Sequence, residues 1–221
     1  MENNEILKHV DHTLLKAFAT WEDIVQIADD ALLYQTASVC IPQSYVKRLN
    51  EKYGSKLNIC TVVGFPLGYN STISKIAEVK QALEDGANEI DMVINIGDCK
   101  NHDFAKIEAE IKALKEACGS HILKVIIETC YLDEAEKIAM CKAVTNANAD
   151  YIKTSTGFGT NGATMEDILL FKKYIGPNVK MKAAGGIASL QDAEDFLNAG
   201  VDRLGTSRIV KLVKGEQAAG Y

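Results

Sequence analysis

The chain has 221 residues, 47% hydrophobic and 24% charged, with a net charge of -6. That length can bury a sizeable core without staples, and the acidic balance with scattered basic residues argues against nucleic-acid or membrane-surface binding. No apolar run approaches the roughly 20 residues that span a bilayer. The charged N-terminus MENNEILKHV does not read as a signal peptide, so a cytoplasmic protein is expected. Cys40, Cys60, Cys99, Cys118, Cys130 and Cys141 form no CxxC pair and no metal-ligand spacing, which predicts reduced, mostly buried thiols and no metal site.

In chain order, a short helix over 2–8 is followed by alternating strands and helices. Strands are predicted at 10–15, 36–41, 58–64, 89–95, 122–128, 151–156, 179–184 and 203–206. Helical patterns fill 21–33, 43–53, 71–85, 102–118, 133–147, 164–175 and 189–199, with a tail helix near 208–215. Thr20, Asp133, Thr164 and Ser189 stand where N-caps belong. No linker or low-complexity stretch interrupts the series, so residues 1–221 are read as one domain. Eight strands with seven intervening helices match a closed parallel (β/α)8 TIM barrel, with a short extra N-terminal helix, better than an open doubly wound sheet.

Strand alternation then separates two faces. In EIDMVIN, Ile90, Met92 and Ile94 oppose Glu89, Asp91, Val93 and Asn95; in ILKVIIE, Leu123, Val125 and Ile127 oppose Lys124, Ile126 and Glu128. The apolar face belongs under the helices and the mixed face in the barrel. Asp91, Lys124, Lys153 and Lys182 are therefore expected to converge on the axis from four successive strands, and their spacings of 33, 29 and 29 are compatible with similar heights.

Lys153 in YIKTSTGF and Lys182 in VKMKAAGG hold matching positions on adjacent strands. Two unit charges about 4 Å apart repel by roughly 4 kcal/mol at an effective dielectric of about 20. That repulsion alone would bring a lysine from about 10.4 to about 7, where the neutral amine can attack a carbonyl. Lys153 is the better nucleophile candidate, because Ser155, Thr156 and Gly157 follow it at the C-terminal end of the strand, where this fold puts its active sites. Asp91 is the natural acid/base partner. The competing reading is a buried ion-pair network, and for Lys124 that structural role is favoured.

The turns KAAGGI (182–187) and LGTS (204–207) end the seventh and eighth strands, where such barrels often hold a phosphate. Gly185, Gly186 and Gly205 permit close backbone approach, and Thr206 and Ser207 offer hydroxyls. GFPLGYN (64–70) reads as a substrate-facing turn. His9, His12, His102 and His121 lack metal-ligand spacing. Asp11-His12-Thr13 is compatible with substrate contact or with plain packing, and Trp21 reads as packing.

VDHTLLK, ASVCI, CTVVGFPLG, EIDMVIN, LKVIIET, YIKTSTGF, KAAGGI and GTS together resemble the deoxyribose-phosphate aldolases, class I Schiff-base enzymes on a TIM barrel. The resemblance implies that Lys153 forms the imine, Lys182 perturbs it and Asp91 takes part in proton transfer. It nominates Gly157, Gly185, Gly186, Gly205, Thr206 and Ser207 for the substrate phosphate. A C-terminal tyrosine assists proton transfer in some relatives, which offers Tyr221 as catalytic support, and Lys124 is a further candidate for support. Arg208 departs from the family, which usually carries a small residue after GTS, and CIPQSYV departs by its early proline. The implied reaction is reversible cleavage of 2-deoxy-D-ribose 5-phosphate to D-glyceraldehyde 3-phosphate and acetaldehyde, with no metal or organic cofactor. Expected partners are small phosphosugar and aldehyde substrates, with no nucleic acid, no membrane, and a homo-oligomer left open. Another phosphosugar Schiff-base aldolase or transaldolase, or a non-catalytic phosphosugar-binding barrel, are the rival readings.

Overall fold

Each strand of this chain carries one apolar face and each helix one apolar stripe, so the two must cover one another. The structure, a computed structural model, describes residues 1–216. It opens with α1 (Asn3–Leu7), β1 (Val10–Thr13), α2 (Trp21–Leu33), β2 (Ser38–Ile41), α3 (Val46–Tyr53) and β3 (Ile59–Val63). There follow α4 (Thr72–Glu84), β4 (Glu89–Val93), α5 (Ile96–Lys100), α6 (Phe104–Cys118), β5 (Ile122–Ile126) and α7 (Glu134–Asn146). The series ends with β6 (Tyr151–Lys153), α8 (Met165–Tyr174), β7 (Lys180–Ala184), α9 (Leu190–Ala199), β8 (Arg203–Thr206) and α10 (Ile209–Val213). All eight strands pair in parallel in sequence order, and β8 closes on β1. The expected (β/α)8 barrel is therefore present, and α1 is its extra helix, packed against α9 and α10.

The outward faces behave as alternation requires. Ile90, Met92, Leu123, Val125 and Ile152 are fully buried in one apolar cluster with Ile107, Ile111 and Leu114 of α6 and Phe171 of α8. Burying each such side chain contributes about 1.5–3 kcal/mol. A second, smaller buried group joins Leu15, Cys40 and Cys60, with Val62 and Phe65 packed on it.

The four expected caps are all in place. Thr20, Asp133 and Ser189 form capping boxes with Asp23, Glu136 and Asp192, and Thr164 accepts from the Asp167 N–H. Strands β1, β2, β4 and β5 are each two residues shorter than expected and α3 starts three residues later, and two further elements differ. Helix α5 escapes a periodicity argument because it is five residues long; Asn95 starts it by accepting from the Asp98 N–H. Strand β6 ends at Lys153 rather than at 156, because the Thr156 N–H turns to the Glu128 carboxylate (3.0 Å) instead of a ladder carbonyl. Gly157 follows at φ 87°, a backbone conformation that favours glycine.

Candidate active site

The strand registers set the heights of the inward-facing charges. Asp91 pairs with Lys124, and Lys153 with Lys182. Lys124, however, lies level with Tyr151, while Lys153 is level with Ile126, two residues nearer the C-terminal mouth. The four groups converge, but not at one height: Lys124 sits a layer below the lysine pair.

Asp91 is the centre of the cluster. Its Oδ2 accepts from Lys153 Nζ (2.7 Å) and from Lys182 Nζ (2.8 Å), and its Oδ1 from Lys124 Nζ (2.9 Å) and the Cys60 thiol (3.2 Å). The two upper ammonium groups thus share one oxygen and can be no farther apart than the sum of those two bonds. Below, Asp11 accepts from Lys182 (2.5 Å), Arg203 (2.5 Å) and the Ser38 hydroxyl (2.8 Å). Glu89 accepts from Arg203 Nη2 (3.0 Å) and pairs with Lys124 at 2.6 Å. Four cations face three carboxylates.

Burial works to raise the Asp91 carboxyl, but Lys124, Lys153 and Lys182 outweigh it and hold the group well below the usual carboxylate range. Burial likewise pulls on Lys182, and Asp11 and Asp91 overcome it, holding its ammonium above the usual lysine range. The same balance, with Asp91 as the largest attraction, keeps Lys124 charged. The two-lysine repulsion expected from sequence therefore omitted a decisive group: a carboxylate oxygen stands between the cations. Cys40, Cys60 and Asp91 bring ligand atoms within 4.8 Å of one another. Both Asp91 oxygens already accept from ammonium groups, so a metal cation there would meet strong repulsion.

Lys153 and Ser155 are almost wholly buried, and the Ser155 hydroxyl has no hydrogen-bond partner among the described residues. At the mouth, Leu15, Pro42, Gln43, Val62, Phe65, Asn70 and Glu78 line one pocket, which puts the GFPLGYN turn and the loop after β2 at the rim. Gly185, Gly186, Ile187, Gly205, Thr206, Ser207 and Arg208 line another. The expected glycine-rich turns thus meet, joined by Arg208. Gly157 lies beside them: a Cβ built on Gly185 would stand 3.7 Å from its Cα. The Thr206 hydroxyl accepts from the Arg208 N–H at 3.0 Å, which shapes the turn. Tyr221 lies outside the described residues.

The DHT run divides. Asp11 points into the ion cluster, while His12 lines a separate pocket with residues of α2 and α10. Neither His12 nitrogen makes a hydrogen bond among the described residues. Trp21 packs on Tyr45 and under Arg48, 3.9 Å from its ring centre, as expected of a packing residue. All six cysteines are free and five are buried, Cys130 being the exception. Among the described residues no helix is long and apolar enough to cross a membrane.

Sequence reasoning does not single out Arg203 or Glu128, and gives Glu89 only a face. The signal for Arg203 is present, since in RLGT it alternates with inward-facing Gly205. Glu128 is in the inward set of its strand, but its partner Thr156 is 28 residues away.

The fold is a closed parallel barrel whose interior holds a buried cluster of lysines and carboxylates. The chain belongs to the DeoC/LacD family of aldolases, whose profile matches residues 6–204. It is 69% identical over 221 residues, all of both chains, to the deoxyribose-phosphate aldolase of Clostridium botulinum strain Alaska E43. It is 59% identical to that of Clostridioides difficile strain 630 over 216 residues, covering 98% of this chain and 99% of the relative. The tetrameric deoxyribose phosphate aldolase structure from Aeropyrum pernix superposes with a TM-score of 0.85 at 30% identity, over 97% of this chain and 92% of that one.

Proposed function

We propose that this aldolase reversibly cleaves 2-deoxy-D-ribose 5-phosphate to D-glyceraldehyde 3-phosphate and acetaldehyde through an imine on Lys153. The observation that carries the reading is the shared Asp91 oxygen, which brings Lys153 and Lys182 together at the mouth. The full-length similarity to two deoxyribose-phosphate aldolases supports the choice of substrate.

In the cleavage direction, Lys153 gives up a proton to a water beside Asp91, its amine adds to the C1 aldehyde of the open-chain sugar, and the carbinolamine hydroxyl takes up that proton and leaves as water. The resulting iminium is a cation where the protonated lysine was, so Asp91 stabilises it without rearrangement. A base takes the C3 hydroxyl proton, the C2–C3 bond breaks, and its electron pair moves into the iminium to form an enamine. Glyceraldehyde 3-phosphate departs. Protonation at C2 and hydrolysis release acetaldehyde and the free amine. The nitrogen cation is the electron sink, so this scheme draws on no metal or organic cofactor.

Asp91 keeps its charge through the cycle and acts on protons through a water that it orients. Lys182, held cationic by Asp11 and Asp91, acts electrostatically. Lys124, a layer lower and paired with Glu89 and Asp91, serves the charge balance. The phosphate would sit against Gly185, Gly186, Gly205, Thr206 and Ser207, with Gly157 alongside and Arg208 as a cation on the pocket wall. Steady-state turnover of 2-deoxy-D-ribose 5-phosphate, with acetaldehyde detected as product, tests the reading. A protein that bound the phosphosugar without releasing acetaldehyde would be a binding barrel instead.

A further inference from the structure

Glu128 is a buried carboxylate at the barrel mouth that the scheme above leaves without a task. It follows β5 two residues after Ile126, the register partner of Lys153, and the Ile127 N–H donates to the Lys153 carbonyl at 3.1 Å. Its backbone is left-handed, at φ 53° and ψ 65°. A non-glycine residue held there costs on the order of 1–3 kcal/mol, which persists only where the surroundings impose it. The conformation aims the side chain at the turn after Lys153. The carboxylate accepts from the Thr156 N–H (3.0 Å) and from the Thr156 hydroxyl, and that hydroxyl accepts from the Phe158 N–H at 3.0 Å. One side chain therefore holds Thr156, whose hydroxyl in turn holds the Phe158 N–H two residues on.

What those residues do gives the tie its meaning. Gly157 lies against Gly185 in the proposed phosphate region. The Phe158 ring meets Phe65 edge-on, with centroids 5.4 Å apart and planes at 89°. Phe65 follows β3 and Phe158 follows β6, with β4 and β5 between them, so the pair crosses part of the mouth. Burial raises the Glu128 carboxyl, against the lowering effect of Thr156 and Lys153.

We propose that Glu128 is a positioning residue of the aldol cleavage: it sets the Thr156–Phe158 turn so that Gly157 receives the phosphorylated end of the substrate and Phe158 walls the mouth. The inference rests on the phosphosugar reading above. A misplacement of about 1 Å in a positioning group is enough to cost on the order of 100-fold in rate. Acetaldehyde has no phosphate, so its imine with Lys153 needs no such turn.

The test uses Glu128→Ala, Thr156→Val and Thr156→Ser in the full chain, each checked by its thermal melt. Glu128→Ala and Thr156→Val should raise KM for 2-deoxy-D-ribose 5-phosphate roughly tenfold or more, with borohydride trapping of acetaldehyde at Lys153 within about threefold of wild type. Thr156→Ser, which keeps the hydroxyl, should restore KM to near wild type. The double variant should fall short of the sum of the two single changes, because both remove the bond between the Thr156 hydroxyl and the Glu128 carboxylate. If Glu128→Ala does not fold, the Thr156→Val and Thr156→Ser pair reads the hydroxyl through which Glu128 reaches the Phe158 N–H. An unmoved KM, or trapping that falls in parallel with phosphosugar turnover, overturns the proposal. If wild type traps acetaldehyde yet leaves the phosphosugar unconverted, the substrate reading fails, and this inference with it. If wild type converts it and the variants match wild type, this inference alone fails.

Discussion

Asp91 is the residue on which the site turns, because it accepts from three ammonium groups at once. Asp91→Asn leaves those charges facing an amide, and removing one partner of a buried pair costs about 3–5 kcal/mol. A lowered melting temperature is therefore expected. In the folded fraction, exchange of the acetaldehyde methyl protons with solvent should slow on the order of 100-fold, with much less effect on phosphosugar binding. NMR exchange rates check this, and loss of stability with exchange intact would leave Asp91 a purely structural anion. Lys182→Leu tests the electrostatic role. Removing a cation beside Lys153 makes protonation there easier, so the acidic limb of kcat/KM should move to higher pH. An unmoved limb in a folded variant would remove that role. Alternation along EIDMVIN, YIKTSTGF and VKMKAAGG makes the facing of these residues legible from the residue order alone. The carboxylate bridging the lysines is not legible that way, since which oxygen lies between them depends on register and side-chain reach across four strands.

At the scale of elements, the turns after the strands line the pockets at the mouth. Gly68 closes the GFPLG turn by donating its N–H to the Gly64 carbonyl at 2.8 Å, and a Cβ there would stand 1.8 Å from the Ile94 carbonyl oxygen. Gly68→Ala must push the turn off the end of β4. It should lower stability by about 1–3 kcal/mol, measured by urea unfolding, and raise KM as the rim moves. A variant with wild-type stability would mean the turn yields without strain. Ser207→Glu puts a negative charge on the glycine-rich pocket and should damage turnover of the phosphorylated sugar selectively, sparing imine trapping with acetaldehyde. Equal loss of both activities in a folded variant, or loss of neither, would send the phosphate site elsewhere. Caps such as Thr20 and Ser189 are legible because they pair with a carboxylate three residues on, a local pattern. Helix α5 and the early end of β6 are not, since one is too short for a period and the other depends on Glu128 from the loop after a neighbouring strand.

For the whole molecule, the buried charges predict a two-stage response to acid. Burial lowers His12 from 6.5 to about 4. The unfolded chain takes up that proton first, so stability should fall as pH drops from 6.5 towards 4, by up to about 3 kcal/mol. Asp11 and Asp91 are depressed instead, and their contribution is present above the ordinary carboxylate range and lost as pH falls through and below it. His12→Leu should flatten the first stage and leave the second, as read from urea midpoints across pH; an unchanged first stage would assign it to other groups. The barrel itself is legible in the sequence because eight alternating segments with intervening helices leave few other closed arrangements. The separation of Asp11 from His12 is legible only in part: alternation puts them on opposite faces, but not which face meets substrate. The central claim is that this barrel works through an imine on Lys153. Its most direct test is reduction with borohydride in the presence of acetaldehyde, followed by peptide mapping by mass spectrometry. The account predicts one ethyl adduct, on Lys153 in the peptide containing KTSTGF. An adduct chiefly on Lys182, or none at all from a folded protein, would contradict it.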